Sequence, residues 1–367
     1  MPPDTDFIIA PEIATVNVAL EPVYNAVGSL RLLSWTQEAK YAAGINPWVM
    51  RTLDALTPDQ WHTHLLVIQG LYYMVDPQAS WASFPAYIEH LASVPAITLR
   101  DKLVKAYLDL GCRKNYADST LETPTEEALL ASKENYLGFL GAAFPKAFDA
   151  QLETEAYDLI LDLPRMQETV VSHLSMMWDN FLAEEWARVK PMLQESVDAF
   201  RQIDLNSMSN FAAAEYVIGQ KLDDQWLQWM DHYQYLTLIP SPHIGAYQGS
   251  FYADDTLCFM YGVRMPAGMH SSQSALSRAE LLVRLNALAD DTRLMVLALI
   301  AEDGEMCAQD VKTRLNLSQS AASRHLKQLS ANGFLIERKQ ENAKCYSLNP
   351  KQLNGTLAAL QQFLNLR

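Results

Sequence analysis

Leu317-Ser318-Gln319-Ser320-Ala321-Ala322-Ser323-Arg324-His325-Leu326-Lys327-Gln328-Leu329-Ser330-Ala331-Asn332-Gly333 decides how this chain is to be read. Ser318 is a good N-cap, placed where the first backbone N–H groups of a helix lack partners. Ala322, Leu326 and Leu329 recur at helical spacing and make one apolar face. The opposite face carries Gln319, Ser320, Ser323, Arg324, His325 and Lys327, rich in donors and short enough to fit a groove of double-stranded DNA. Asn332-Gly333 ends the helix, because both residues accept the left-handed backbone that terminates helices. The stretch has the form of a helix that reads DNA.

Its surroundings extend that reading. Leu281, Leu282, Leu285 and Leu288 form a helical stripe, and Asp290-Asp291 supplies acid at the next helix start, where the dipole favours it. Leu294, Val296, Leu297, Leu299 and Ile300 fill that helix, and Asp303-Gly304 stops it. A short helix is expected over 307–315, with Val311 and Leu315 inward, then a tight turn at Asn316-Leu317-Ser318. After Gly333 come a strand at Phe334-Leu335-Ile336, a turn at Gln340–Ala343 and a strand at Lys344–Leu348. A helix-turn-helix followed by a hairpin is a winged helix. Its second helix would enter a major groove, with Arg338, Lys339 and Lys344 of the wing reaching flanking phosphate or minor groove. In the last helix, over 351–366, Leu353, Leu357, Leu360 and Leu364 share one face. That face either covers the domain's own core or pairs with a second copy, and two-fold readers of DNA favour pairing.

Residues 281–348 resemble the ArsR family of winged-helix transcription regulators. The resemblance rests on Leu288-Ala289-Asp290-Asp291-Thr292-Arg293-Leu294, on Leu317 through Leu326 and on Leu329 through Gly333. The family usually has Pro where Asp291 stands, and an acid is acceptable in a first turn. The resemblance implies a homodimer built from the first and last helices of this domain, hence Leu281, Leu285, Leu353, Leu357, Leu360 and Leu364. It also implies DNA contacts from Gln319, Ser320, Ser323, Arg324 and His325. Many members sense metals. One of their sites uses Cys-x-Cys in the first helix of the helix-turn-helix, because soft thiolates hold soft ions. Here Cys307 is followed by Ala308 and Gln309, so the second thiolate is missing. The other site uses His and carboxylates on the terminal helix, and residues 351–367 contain no His, Asp or Glu. No metal and no other cofactor is expected, and Cys307 reads as a small buried residue.

A chain of 367 residues is longer than one core usually organises. The net charge of −15 is unevenly spread: residues 276–367 hold 12 basic against 9 acidic side chains, and residues 1–275 hold 16 against 34. The acidic part repels phosphate, yet a small basic part can still bind DNA. All eight Trp precede residue 230, and only Phe334, Tyr346 and Phe363 of the 36 aromatics follow residue 275. Two composition regimes therefore meet near Pro266–Ser274. The expected domains are 1–268 and 278–367, with 269–277 as linker. The four cysteines show no close pair in sequence, which argues against a disulfide scaffold and fits a reducing cytoplasm. No secretory leader and no apolar run long enough to cross a bilayer is read, so no membrane partner is expected.

The first three quarters read as mainly helical (an α+β domain overall). A strand is expected at Ala14–Leu20, helices at 22–33, 46–56, 58–74, 84–92, 98–110, 124–140, 151–162, 165–182, 184–203 and 209–220, and strands around 235–263. The fold class is thus a helical domain with a small antiparallel sheet, followed by a winged helix-turn-helix. Large ArsR-type regulators with a long N-terminal extension are similar at Val16–Leu33 and Ile239–Val263. His62-Thr63-His64 does not chelate, because two residues on a helix are about 200° apart. The Gly-x-Ser-x-Gly, P-loop, Gly-x-Gly-x-x-Gly and His-Glu-x-x-His patterns are absent, so the chain is not read as an enzyme. A cytoplasmic regulator is expected, with a small organic effector in the aromatic N-terminal domain and a roughly palindromic operator under the winged helix. The alternatives are an N-terminal interaction module without ligand, or an enzyme domain fused to a DNA binder.

Overall fold

The structure, a computed structural model, describes residues 15–35, 46–111, 123–222, 226, 230, 233–245, 247–253, 255–266, 278–340 and 343–364. Two compact units emerge from its internal packing: Glu21–Gln37 with Pro47–Trp186, and Met1–Leu20, Glu38–Asn46 and Ala187–Arg367. The compositional boundary near residue 268 falls inside the second unit, and the expected linker 269–277 lies outside the described residues.

The first unit is helical. Its elements are α1 (Pro22–Trp35), α2 (Pro47–Ala55), α3 (Pro58–Leu65), α4 (Tyr72–Val75), α5 (Phe84–Ser93), α6 (Ala96–Gly111), α7 (Glu126–Leu130), α8 (Lys133–Ala143), α9 (Ala150–Leu161) and α10 (Leu163–Met177). Side-chain caps set the boundaries. Thr57 and Gln60 form the capping box that their spacing predicts, with bonds of 3.3 and 3.0 Å. The single helix expected over 124–140 is two, because Ser132 caps a new start by accepting from the Asn135 N–H at 3.2 Å. The helix expected from 98 begins at Ala96, one residue after Pro95, so Thr98 lies inside it and is not its cap.

His62 and His64 diverge as their spacing requires. His62 is exposed and 2.7 Å from Glu155, whereas His64 is buried. His64 Nε2 lies 3.0 Å from the Leu30 carbonyl, which only accepts, so Nε2 carries the proton and Nδ1 is an acceptor. The His173 Nε2–H therefore donates to it at 3.1 Å. Both rings are held neutral: burial lowers His64 to about 4, and burial plus the neighbouring imidazole lowers His173 to about 3. As pH falls below the unfolded value of about 6.5, the unfolded chain takes up protons that the folded pair refuses. Stability contributed above that pH is thus lost on acidification, down towards the folded values. Urea midpoints measured from pH 7 to 5 should fall more steeply for the parent than for a variant with both histidines replaced by Gln. Parallel slopes would remove the pair from the acid response.

The second unit holds two separate cores. The first lies around a four-stranded sheet ordered β1 (Thr15–Val18), β2 (Tyr235–Ser241), β4 (Thr256–Gly262) and β3 (Gly249–Ala253). The β3–β4 hairpin is antiparallel as its sequence suggests, while β1 and β4 both run parallel to β2, so the sheet is mixed. A parallel neighbour must arrive by a long crossover, which is why a strand at residue 15 meets one at 235. Val16, Val18, Leu238 and Phe259 pack there against α11 (Ala183–Phe200) and α12 (Asn210–Ile218).

The other core belongs to the winged helix. It comprises α13 (Arg278–Leu288), α14 (Asp291–Asp303), β5 (Met306–Cys307), α15 (Ala308–Arg314), α16 (Gln319–Ala331), β6 (Leu335–Gln340), β7 (Ala343–Leu348) and α17 (Pro350–Phe363). The sheet is antiparallel, ordered β5-β7-β6. Val296, Ile300, Val311, Leu326, Leu329 and Phe334 fill the space beneath it.

Candidate nucleic-acid interface

Ser318 caps α16, its hydroxyl accepting the Ala321 N–H at 3.1 Å. Gly333 takes φ +74° immediately after the helix, a backbone that a side chain would strain. Ala322, Leu326 and Leu329 are fully buried, so the apolar face points into the core. Ser318, Gln319, Ser320, Ser323 and Lys327 are exposed and Arg324 is half-buried, all displayed on or beside the opposite face.

His325 is a correction. It stands three residues from Ala322 and four from Leu329, on the inward stripe, and is 5% exposed. Its Nδ1 lies 3.7 Å from an Asp290 oxygen, and burial holds the ring below its ordinary pKa. It braces the helix from within and does not face a groove. Gln328 is drawn inward in the same way.

The α16 helix is held by Arg293, whose importance the sequence does not reveal. Arg293 is 3% exposed. Its Nε–H donates to the Ala287 carbonyl at 2.6 Å, Nη2 to the Asn286 carbonyl at 2.9 Å and Nη1 to Gln328 Oε1 at 3.0 Å. Asp290, the N-cap of α14, accepts the Arg293 backbone N–H at 2.9 Å. One guanidinium thus joins the end of α13, the start of α14 and the inner side of α16.

On the wing, Arg338 is exposed and lies 4.0 Å from Glu305. Lys344 is 2.9 Å from Glu337, so part of its charge is already matched. The Lys339 backbone pairs with Lys344, and its side chain lies outside the described residues. The cysteine expectation fails in this region. Cys307 and Cys345, 38 residues apart in sequence, occupy facing positions of β5 and β7 and form a disulfide. Register across a sheet, not sequence spacing, brings them together.

The proposed pairing face is also redistributed. Leu353 packs on the winged-helix core and Leu281 is 3% exposed within its own chain, so neither is open to a second copy. Leu285 and Leu360 are half-buried. Leu357 and Leu364 remain exposed, joined by Leu282 and Phe363, which the leucine spacing did not single out.

Among its described residues, the helical unit gathers buried polar groups. Arg31 donates to Tyr72 Oη at 3.0 Å, and the Tyr72 hydroxyl donates to Asp76 at 2.9 Å. Burial raises the Asp76 carboxyl and pulls Lys102, which donates to the Met74 and Asp76 carbonyls, down to about 8. These residues come from α1, α4 with its C-cap Asp76, and α6, too far apart in sequence to be read as a group.

The profile of a family described as a helix-turn-helix domain matches residues 288–338. The arsenic resistance transcriptional regulator ArsR2 of Pseudomonas putida is 41% identical over 85 residues, covering 21% of this chain and 74% of that protein. The chain belongs to the ArsR family. The arsenical resistance operon repressor of Escherichia coli is 46% identical to this ArsR-family protein over 63 residues, 17% of the chain and 54% of the repressor. The transcriptional activator HlyU of Vibrio cholerae is 30% identical over 96 residues, 26% of the chain and 88% of HlyU. The solved structure of reduced HlyU matches 23% of the chain and 88% of its own, at 32% identity and a TM-score of 0.20. By its sequence matches to ArsR2 and HlyU, the chain is a DNA-binding transcription regulator of the ArsR and HlyU type, with a winged helix at its C-terminal end. Among the described residues, no helix is long and apolar enough to cross a membrane.

Proposed function

We propose that the protein is a cytoplasmic homodimer whose two winged helices read a roughly palindromic operator, and whose N-terminal three quarters bind a small organic effector that shifts operator affinity. The observation that carries the DNA half is the division of α16. Ala322, Leu326 and Leu329 are fully buried, while Gln319, Ser320, Ser323 and Lys327 are exposed with Arg324 beside them. Such a helix presents short donors to base edges and a cation to phosphate or guanine.

The effector half draws support from the helical unit. Asn25 Oδ1, Tyr87 Oη and His173 Nδ1 are buried without a hydrogen-bond partner among the described residues. A buried polar atom without a partner costs about 1–3 kcal/mol, which a polar ligand group or ordered water would recover. Effector control then needs only different affinities for the DNA-competent and incompetent states.

Arg324→Ala should weaken binding to the DNA fragment that the purified protein enriches from sheared genomic DNA. The expected loss is about 1–3 kcal/mol at fixed salt, read by fluorescence anisotropy. Equal affinity for parent and variant would take Arg324 off the reading face.

A further inference from the structure

Cys307 closes β5 and immediately precedes α15, the first helix of the helix-turn-helix. Cys345 lies in β7, the second strand of the wing, directly opposite. Apart from their disulfide, the β5–β7 joint is only two residue pairs long, Met306 with Tyr346 and Cys307 with Cys345. We propose that Cys307 and Cys345 are a redox modification site, at which reversible thiol–disulfide exchange locks the wing to the helix-turn-helix or frees it. This extends to regulation the DNA-binding reading given above.

Three observations carry the inference. The thiols sit at facing positions of a formed ladder, so strand register alone brings them within bonding reach. Their exposures differ: Cys345 is 1% exposed, whereas Cys307 is half-buried and within reach of a small reagent. A protein that works on DNA shares a compartment with reducing thiol pools, where protein disulfides are transient and serve sensing or catalysis more than scaffolding. A static staple would be poorly placed there.

The oxidant class is a low-molecular-weight disulfide. The Cys307 thiolate attacks one of its sulfurs, forming a mixed disulfide and releasing one small thiolate. The Cys345 thiolate then attacks Cys307 Sγ, closing the protein bond and releasing the second. Two electrons pass from the protein pair to the small disulfide, and the two cysteine protons end on the two released thiols. Excess small thiol runs the same steps backward. In the reduced state the hairpin Leu335–Leu348, with Arg338 and Lys344, is tied to β5 by the short ladder alone, and its strands open more often.

The test uses the full chain in oxidised glutathione and in dithiothreitol. Peptide mapping should recover a Cys307–Cys345 cross-link in the first buffer and reduced thiols in the second, with Cys258, buried and outside the disulfide, unlinked in both. Amide exchange of residues 335–340 and 343–348 should quicken on reduction by about tenfold or more, and affinity for the enriched DNA fragment should fall by about tenfold. Cys307→Ser, at the more exposed position, should show the fast wing exchange and the weaker binding in both buffers. No cross-link after oxidation, or identical wing exchange in the two buffers, overturns the site. Equal DNA affinity of the two states overturns its regulatory effect. Failure to retain any DNA in either buffer would count against the DNA-binding reading instead, while linkage and exchange still decide the redox site.

Discussion

Arg293→Ala is expected to destabilise the winged helix by about 3 kcal/mol and to loosen α16 before any other helix. The guanidinium is buried and donates to two carbonyls and one amide oxygen contributed by α13 and α16. Removing it leaves Gln328 Oε1 and the Ala287 and Asn286 carbonyls short of donors in a site from which water is largely excluded. Hydrogen bonds to charged groups are worth about 1.5–3 kcal/mol each, and removing one side of a buried charged contact typically costs about 3–5 kcal/mol in total. Part is recovered as water enters the cavity, which places the expected loss at the lower end. Arg293→Lys should retain little, because an ammonium cannot span three acceptors held in the plane of a guanidinium. The measurement must be local. All eight Trp lie before residue 230, so indole fluorescence does not report on this domain. Hydrogen exchange at residues 319–331 does. Unchanged protection there would show that the helix is held by its apolar face alone.

Arg293 also marks where sequence reading stops. The α16 helix was legible because cap, apolar stripe and stop signal all lie within seventeen consecutive residues and obey local rules. The winged-helix order followed from similar local signals. Features that depend on distant pairing were not legible. Arg293 stands in the sequence only as one residue of the family-like stretch Leu288–Leu294, and its approach to Gln328 from another helix is what makes it a buried tie. Cys307 and Cys345 look unrelated until the β5–β7 register places them opposite. The parallel contact of β1 with β2 is equally silent, since it joins residues 15–18 to 235–238. His325 failed for a nearer reason. A helical stripe includes the i+3 position as well as i+4, and the polarity of imidazole concealed its membership of the stripe that Ala322 and Leu329 define.

For the proposed homodimer, Leu357→Asp combined with Leu364→Asp should convert the protein to monomers and lower operator affinity by about 100-fold or more. Both side chains are more than half exposed, as is Phe363, and Leu282 is 40% exposed. Isolated surface leucines need no explanation, but Leu357 in α17 and Leu364 just past its end stand seven residues apart, a spacing that puts both on one helical face, with α13 packed beside the helix. In a monomer the substitutions touch little, so each should change stability by about 0.5 kcal/mol or less. In a dimer they would bury carboxylates against apolar surface, which costs several kcal/mol unless the groups are protonated or paired. A monomer must then hold a half-site alone and forfeits the effective concentration that linkage gives the second reading helix, commonly worth about 10²–10⁴-fold. Sedimentation velocity should show a halved mass and anisotropy the weakened binding, with far-UV circular dichroism unchanged. Leu281→Asp should instead unfold the domain, because Leu281 is buried within its own chain. A double variant that stays dimeric would move the pairing surface elsewhere on the chain. A monomeric variant that binds the operator as tightly as the parent would mean that one winged helix reads the site by itself.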